Sequence, residues 1–177
     1  ARLYRVFVFF RCPYTEQVGK LIERAKEDNK VVLFDIDDLV IDREYTKSIQ
    51  YLNKMSDQEK QEYYNGIDLT QKTLKMCDAA ITTTERMAEE LSKYVPQVFI
   101  NRNVASDEML KLSLDAQKNK GKQENSLTLG YFSGSITHDA DFMLILPVIK
   151  KLMIKYCNLK LALVGEITVP KELEDVK

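Results

Sequence analysis

The stretch that decides the fold is VVLFDIDD, residues 31–38. Its first four residues form an apolar run without alternation, which is typical of a strand buried on both faces of a sheet. The run leads into Asp35, Asp37 and Asp38. Ligands of parallel α/β sheets bind at the carboxyl ends of the strands. The stretch therefore predicts a buried parallel strand with a candidate site at its end.

Segments with strand and helix patterns alternate around this stretch. Residues 4–10 predict a buried strand, and Thr15 caps an amphipathic helix that ends near Asp28. Downstream, helical spacing over residues 42–77 precedes a short strand at 78–84, a helix capped by Thr84 and a strand at 98–100. The repeated β-α order predicts an α/β fold with a Rossmann-like parallel sheet and flanking helices.

The composition changes in residues 113–126, which offer almost nothing to bury. We interpret this segment as a linker between a first lobe, residues 1–112, and the start of a second Rossmann-like unit, residues 127–177. The second unit is predicted to contain a strand at its start, a helix interrupted at Pro147 and a further strand at residues 159–164.

The charges nearly cancel, with 26 Lys and Arg against 27 Asp and Glu residues, so no overall field favours nucleic acid as a partner. The 3 cysteines are odd in number, which argues against a disulfide framework. We interpret Cys77 and Cys157 as small buried residues. No apolar run reaches the ~20 residues of a membrane span. We expect a cytoplasmic chain.

Residues 129–139, LGYFSGSITHD, predict a strand that turns into a helix. Small residues at such a turn let backbone N–H groups approach a phosphate, and the helix N-terminus favours negative charge. The alternative is an ordinary turn capped by Thr137 or Asp139. The candidate phosphate-binding residues are Gly130, Ser133, Gly134, Thr137 and His138.

Two further sets of polar residues follow predicted strands. Asp35, Asp37 and Asp38 repel one another unless a cation, solvent or hydrogen-bond donors compensate, so they predict either a ligand site or a loop in which Asp38 or Asp42 caps a helix. Asn101 and Arg102 follow the strand at 98–100 and suit either a cleft or a turn. Both alternatives stay open for each set.

The first resemblance is carried by residues 31–42, VVLFDIDDLVID. They resemble the first motif of the haloacid-dehalogenase phosphatases, in which Asp35 would be the nucleophile and Asp37 the acid/base of an Mg²⁺-dependent reaction. That family also has a late acidic loop after a strand. Here the corresponding strand runs into VGEI, residues 164–167, which lacks such a loop.

The second resemblance covers nearly the whole chain. FDIDDLVID at residues 34–42, the segment at 77–104 that ends PQVFINRNV, and the segment at 127–165 that begins LTLGYFSGSITHDADF together resemble group-1 glycosyltransferases of the two-lobed GT-B fold. By this resemblance the chain is an internal piece that spans the end of the acceptor lobe and the start of the donor lobe.

The resemblance implies transfer of a sugar from a nucleotide-diphosphate sugar to a glycan or lipid-linked acceptor, as in bacterial surface polysaccharide synthesis. Gly130, Ser133, Gly134, Thr137 and His138 would face the donor diphosphate. The acceptor cleft would be lined by Asp37, Asp38, Asn101 and Arg102. No metal and no cofactor besides the donor are implied. A longer protein of this type would work in the cytoplasm, and association with the inner face of the membrane would fit a lipid-linked acceptor. The donor-lobe carboxylates and basic residues would lie beyond Lys177, so we expect no activity from this piece alone.

Overall fold

A computed structural model of the chain describes residues 3–47, 49, 52–53, 55–119, 126–134 and 138–173. The chain divides into two compact units. The first unit comprises Ala1–Ser48 and Met55–Val104, and the second comprises Ile49–Lys54 and Ala105–Lys177.

The first unit contains a parallel sheet of four strands in the order β1-β2-β3-β4. The strands are β1 (Val6–Phe10), β2 (Val31–Asp35), β3 (Ala79–Thr82) and β4 (Val98–Ile100). The connecting helices are α1 (Glu16–Glu27), α2 (Arg43–Thr46), α3 (Asp57–Met76) and α4 (Glu85–Leu91). The predicted α/β fold with a parallel sheet and flanking helices is confirmed, and it is compatible with a Rossmann-like arrangement.

Side-chain caps begin the helices of this unit. The Thr15 hydroxyl accepts a hydrogen bond from the backbone N–H of Val18 at 3.2 Å, and the Thr84 hydroxyl accepts one from Met87 at the same distance. Both caps confirm the predictions from the sequence. Helix α3 begins with a capping box. The Ser56 hydroxyl accepts a hydrogen bond from the backbone N–H of Glu59, and the Glu59 carboxylate accepts one from the backbone N–H of Ser56.

Within the described part of the first unit, the helices pack on one face of the four-stranded sheet. Each connection steps to the next strand in the same direction, and right-handed crossovers then put every helix on the same side. On that side Val32 and Phe34 are fully buried and share a core with residues of α1, α3 and α4. The opposite face leaves Val8 at 53% and Phe10 at 61% of their area exposed. The expectation that β1 is a buried strand is therefore wrong, and Val31, which is 45% exposed, shows that β2 is not buried on both faces.

A polar cluster joins α2 to α4. The Tyr45 hydroxyl donates a hydrogen bond to the Glu90 carboxylate, which also pairs with Lys93 and Arg86. The Glu90 side chain is only 4% exposed. A buried carboxylate is tolerated where donors satisfy it, so this cluster fixes α2 against α4.

The second unit contains the parallel strand pair β5 (Leu127–Ser133) and β6 (Leu159–Gly165). Its helices are α5 (Asp107–Lys118) and α6 (Asp139–Lys155), and a 3₁₀ turn follows at Lys171–Leu173. Phe142, Leu146 and Ile149 of α6 form the buried core, which packs against Tyr131, Leu161 and Leu163. One face of the strand pair is thus covered by α6.

Three details of the second unit differ from expectation. Helix α5 covers residues 113–118 of the segment interpreted as a linker, although it has no buried residue, and residues 120–125 lie outside the described part. Helix α6 continues through Pro147, because core residues on both sides of the proline hold the two halves together. Cys77 is buried as predicted, whereas Cys157 is exposed.

None of the described helices is long and apolar enough to cross a membrane.

Candidate functional site

The carboxyl ends of the four parallel strands meet at one edge of the first unit's sheet. This edge is the usual ligand-binding edge of parallel α/β sheets. The polar groups that follow the strands there are Arg11 after β1, Asp35, Asp37 and Asp38 at β2, Thr82 at β3, and Asn101 with Arg102 after β4.

Arg11 ties the end of β1 to the loop after β2. Its Nε donates to the Asp37 Oδ1 at 2.8 Å, and its Nη2 lies 2.5 Å from the Asp38 Oδ2. The Arg11 backbone N–H also donates to the Asp35 carbonyl oxygen at 2.9 Å. Arg11 has a φ of 44°, a left-handed conformation that is unfavourable for an arginine. We call Arg11, Asp37 and Asp38 the arginine clamp.

A cavity of about 350 Å³ lies beside the clamp, against α3. Its walls combine apolar groups, one aromatic ring, one carboxylate and the Arg11 side chain. The lining residues are Arg11, Pro13, Val40, Glu62, Tyr63, Gly66, Ile67 and Thr70. Such a mixture of apolar walls with a few polar groups is common in small-molecule sites.

Gly66 lies inside α3, where it forms part of the cavity wall. Among the residues that the structure describes, a Cβ added at Gly66 would meet no atom within 4 Å, and the φ of Gly66 is not positive. Neither close packing nor backbone conformation therefore requires glycine at this position. A glycine in a helix interior costs roughly 0.5–1 kcal/mol relative to alanine. The consequence of Gly66 is an open cavity wall.

The edge offers a ligand both hydrogen-bond acceptors and a hydrogen-bond donor. Burial raises the pKa of Asp35, and the neighbouring Asp37 charge raises that pKa further. Burial also raises the pKa of Tyr63, with smaller contributions from Tyr64 and Asp38, so its hydroxyl stays a donor at neutral pH. The edge can thus accept hydrogen bonds through carboxylates and offer one from Tyr63.

The other predicted cleft residues lie apart from the clamp. The Asn101 backbone N–H donates to the Thr82 carbonyl oxygen at 2.7 Å, and Arg102 pairs with Glu85. Strand β4 is separated from β2 by β3, which corresponds to roughly 10 Å. The guanidinium that contacts Asp37 is therefore that of Arg11, and the structure does not bring Asn101 and Arg102 into this contact.

The predicted donor residues lie in the second unit, around the junction of β5 and α6. Gly130 is in the middle of β5, Ser133 is its buried last residue, and Gly134 follows. His138 precedes the first turn of α6 without a capping hydrogen bond from its side chain, and its Nδ1 lies 3.1 Å from the Asp141 Oδ2. Thr137 lies outside the described residues.

The loop after β6 approaches the same junction. Gly165 has a φ of 95°, and a Cβ there would lie 1.9 Å from the Ser133 carbonyl oxygen, so only glycine fits. The Thr168 backbone N–H donates to the Asp139 Oδ1 at 3.0 Å. A cavity of about 220 Å³ is lined by Asp139, Met143, Thr168, Pro170 and Glu172. Among these lining residues no side chain is basic, so they do not neutralise a diphosphate.

Reasoning from the sequence missed Arg11, Tyr63 and Gly66. No local pattern links Arg11 to Asp37, because the two residues are distant in sequence and meet only through the pairing of β1 with β2. Gly66 carried a usable signal, because an isolated glycine inside a helical pattern costs about 1 kcal/mol relative to alanine. Comparisons with family models, curated proteins and solved structures find no match for this chain.

Proposed function

We propose that this chain takes part in glycosyl transfer of the GT-B type, in which a sugar passes from a nucleotide-diphosphate sugar to a glycan or lipid-linked acceptor. The observation that carries the proposal is the cavity beside the arginine clamp, whose wall is kept open at Gly66. The resemblance of three segments in the same order to group-1 glycosyltransferases supports it.

The chemistry of the cavity suits a ligand rich in hydroxyl groups. Sugar hydroxyls donate hydrogen bonds to carboxylates such as that of Glu62 in the cavity lining and that of Asp37 in the adjoining arginine clamp, and the Tyr63 ring offers an apolar surface for a sugar ring. Arg11 holds Asp37 in one orientation, which pre-organises an acceptor for such hydrogen bonds. Acceptor binding is the role that we propose for this cavity.

The donor would bind at the β5–α6 junction, where a Cβ added at Gly134 would meet no atom of the described residues within 4 Å and the N-terminus of α6 carries partial positive charge. Backbone N–H groups aimed at a departing diphosphate stabilise its developing charge. In this proposal His138 hydrogen-bonds a phosphate or sugar oxygen. Gly130, Ser133 and Thr137 complete the proposed donor set.

Two other functions are alternatives to glycosyl transfer. In a phosphatase of the haloacid-dehalogenase type, Asp35 would attack phosphorus and Asp37 would act as a free acid/base. Asp37 is in an ion pair with Arg11, so its carboxylate is not free to act as the acid/base of a phosphatase. This ion pair favours the transferase over the phosphatase. The remaining alternative is a module that binds a nucleotide without turnover.

The acceptor site is tested by NMR titration of the chain with methyl glycosides and short glycans. Gly66→Leu should fill the cavity and abolish the chemical-shift changes, whereas Gly66→Ala should keep them, because a single Cβ meets open space. Glycan shifts that survive Gly66→Leu, or no shifts at all in the parent chain, would contradict acceptor binding in this cavity.

The donor site is tested by titration with UDP-, GDP- and dTDP-sugars. We expect one nucleotide sugar to shift amides near Gly134, and His138→Ala to weaken that effect. Lys155→Gln, at the other end of α6, is the matched control. Release of phosphate from p-nitrophenyl phosphate with Mg²⁺, lost in Asp35→Asn, would instead establish the phosphatase.

A further inference from the structure

Helix α6 exposes a stripe of apolar and basic side chains on the side away from its core. Leu144, Val148, Lys151 and Lys155 follow one another at intervals of four, three and four residues, so they lie along one line on the helix. Leu144 is 79% exposed and Val148 58%. We call these four residues the α6 stripe. An outward helix face usually carries polar residues, so this face is unusual.

The neighbouring line of residues has the same character. Met143, Pro147, Lys150 and Ile154 line an open groove of about 430 Å³ together with Leu146, Lys151 and Glu172. Ile154 is among the most exposed hydrophobic residues of the described chain. Apolar exposure thus extends from the stripe into an adjoining groove.

The charges along α6 are separated. Asp139 and Asp141 lie in its first turn, where they contact the Thr168 N–H and His138, respectively. Residues 147–156 contain three lysines and no acidic residue. Within the described residues, no ion pair involves Lys150, Lys151 or Lys155. The last two turns of α6 therefore present three lysines that form no ion pair within the described residues, although Glu172 lines the same groove as Lys150 and Lys151.

We propose that the α6 stripe binds the surface of an anionic lipid bilayer, with the helix lying in the plane of the interface. Leu144 and Val148 would enter the acyl boundary, and the lysine stems would follow them while their ammonium groups reach lipid phosphates. The exposed Tyr156, whose ring lies 5.2 Å from the Lys155 ammonium, suits the same interface.

Charge complementarity selects a bilayer over a protein partner. Lysines that form no ion pair among the described residues and continue the line of Leu144 and Val148 match a surface that offers many negative groups above an apolar layer. From Leu144 to Lys155 this line extends roughly 16 Å along the helix axis. The inference does not depend on sugar transfer, because the stripe shares no residue with the proposed donor or acceptor sites.

The test is co-flotation of the whole chain with vesicles of phosphatidylcholine, prepared with and without phosphatidylglycerol. We expect flotation only with the anionic lipid, and less of it at high salt. The double variant Lys151→Gln with Lys155→Gln should lower the partition coefficient roughly thirtyfold, because it removes two lysine–lipid contacts of about 1 kcal/mol each. Leu144→Gln with Val148→Gln should also lower it, and circular dichroism should stay unchanged because all four side chains are exposed.

Lys20→Gln with Lys60→Gln removes the same charge from α1 and α3 and is the matched control. Equal loss in this control would show that total charge alone drives binding, which would overturn the proposal, as would no flotation with anionic vesicles. A dimer that Leu144→Gln with Val148→Gln converts to a monomer would assign the stripe to self-association instead. Loss of glycan or nucleotide-sugar binding leaves the flotation result unaffected, so the two proposals fail separately.

Discussion

The Arg11 guanidinium and the Asp37 carboxylate join the ends of two neighbouring strands, with the Nε of one 2.8 Å from the Oδ1 of the other. The same arginine holds a left-handed backbone conformation at a φ of 44°. Position 11 is thus subject to two opposing demands, since the side chain stabilises the loop after β2 while the backbone would favour glycine.

Comparing Arg11→Ala with Arg11→Gly separates these two demands. Both changes remove the contacts with Asp37 and Asp38, which are partly exposed and contribute about 1 kcal/mol at most. A left-handed conformation costs an L-residue ~1–2 kcal/mol, and the extra freedom of an unfolded glycine offsets ~0.4–1 kcal/mol of that advantage. We therefore expect the Gly variant to be more stable than the Ala variant by about 0.5–1 kcal/mol in urea unfolding. Equal stabilities would show that the backbone at position 11 is not strained.

Gly165 and Gly134 give a contrast within the second unit. A Cβ at Gly165 would lie 1.9 Å from the Ser133 carbonyl oxygen, in a backbone with a φ of 95°, whereas a Cβ at Gly134 would meet no atom of the described part of the chain within 4 Å. Gly165→Ala should lower the free energy of unfolding by more than about 2 kcal/mol. Gly134→Ala should change it by less than about 0.5 kcal/mol.

Hydrogen exchange measures this contrast within the unit, because it reports the amides of β5 and β6 separately from those of the first unit. Faster exchange in both strands of the Gly165→Ala variant is the expected result. Unchanged exchange would mean that the β6 loop moves away from Ser133 at little cost.

The parts of the fold that the sequence predicts well are those set by local chemistry. Thr15 and Thr84 lie three residues before the N–H groups that they cap, and the helical spacing that follows each of them is visible in the chain. The predicted bounds of β4 and β6 are likewise close to the observed ones, because short, mostly apolar runs stand between polar turns.

The parts that could not be predicted depend on contacts between distant residues. Whether Val8 is buried depends on which side of the sheet the crossover helices occupy, and no residue near Val8 carries that information. The pairing of Phe10 with Asp35 in adjacent strands brings Arg11 to Asp37. Such a register is fixed by the whole sheet, so the sequence alone indicates Arg102 rather than Arg11 as the guanidinium of the site.

Glu90 should make the stability of the first unit depend on pH. Hydrogen bonds from Lys93 and Tyr45 hold the pKa of Glu90 below its ordinary value of 4.5. A carboxyl group with a lowered pKa in the folded state stabilises the fold above its unfolded pKa, and this contribution is lost as the pH falls through the folded value. We expect Glu90→Gln to be less stable than the parent at pH 7 and the difference to shrink below pH ~4.5.

Urea unfolding at several pH values measures this difference. Glu89→Gln is the matched control, because Glu89 pairs with Arg86 on the exposed side of α4. A stability difference for Glu90→Gln that stays constant down to pH ~3 would show that packing at position 90, rather than its charge, stabilises the unit.

Thr82 should be replaceable by valine with a gain in stability. Its side chain is fully buried, and its hydroxyl oxygen has no hydrogen-bond partner within the part of the chain that the structure describes. The Thr82 carbonyl oxygen accepts from Asn101, so the backbone of β3 is satisfied while the hydroxyl is not. Burying an unpaired hydroxyl costs about 1–3 kcal/mol, and valine has nearly the same shape and suits a strand at least as well.

We expect Thr82→Val to raise the free energy of unfolding by about 1 kcal/mol. Thr46→Val is the control, because Thr46 is equally buried but its hydroxyl donates to the Arg43 carbonyl oxygen at 2.8 Å. That change should lower stability by about 1 kcal/mol. If both variants lost stability alike, Thr82 would have a partner for its hydroxyl. The carboxyl end of β3 would then hold a polar contact next to the proposed ligand-binding edge.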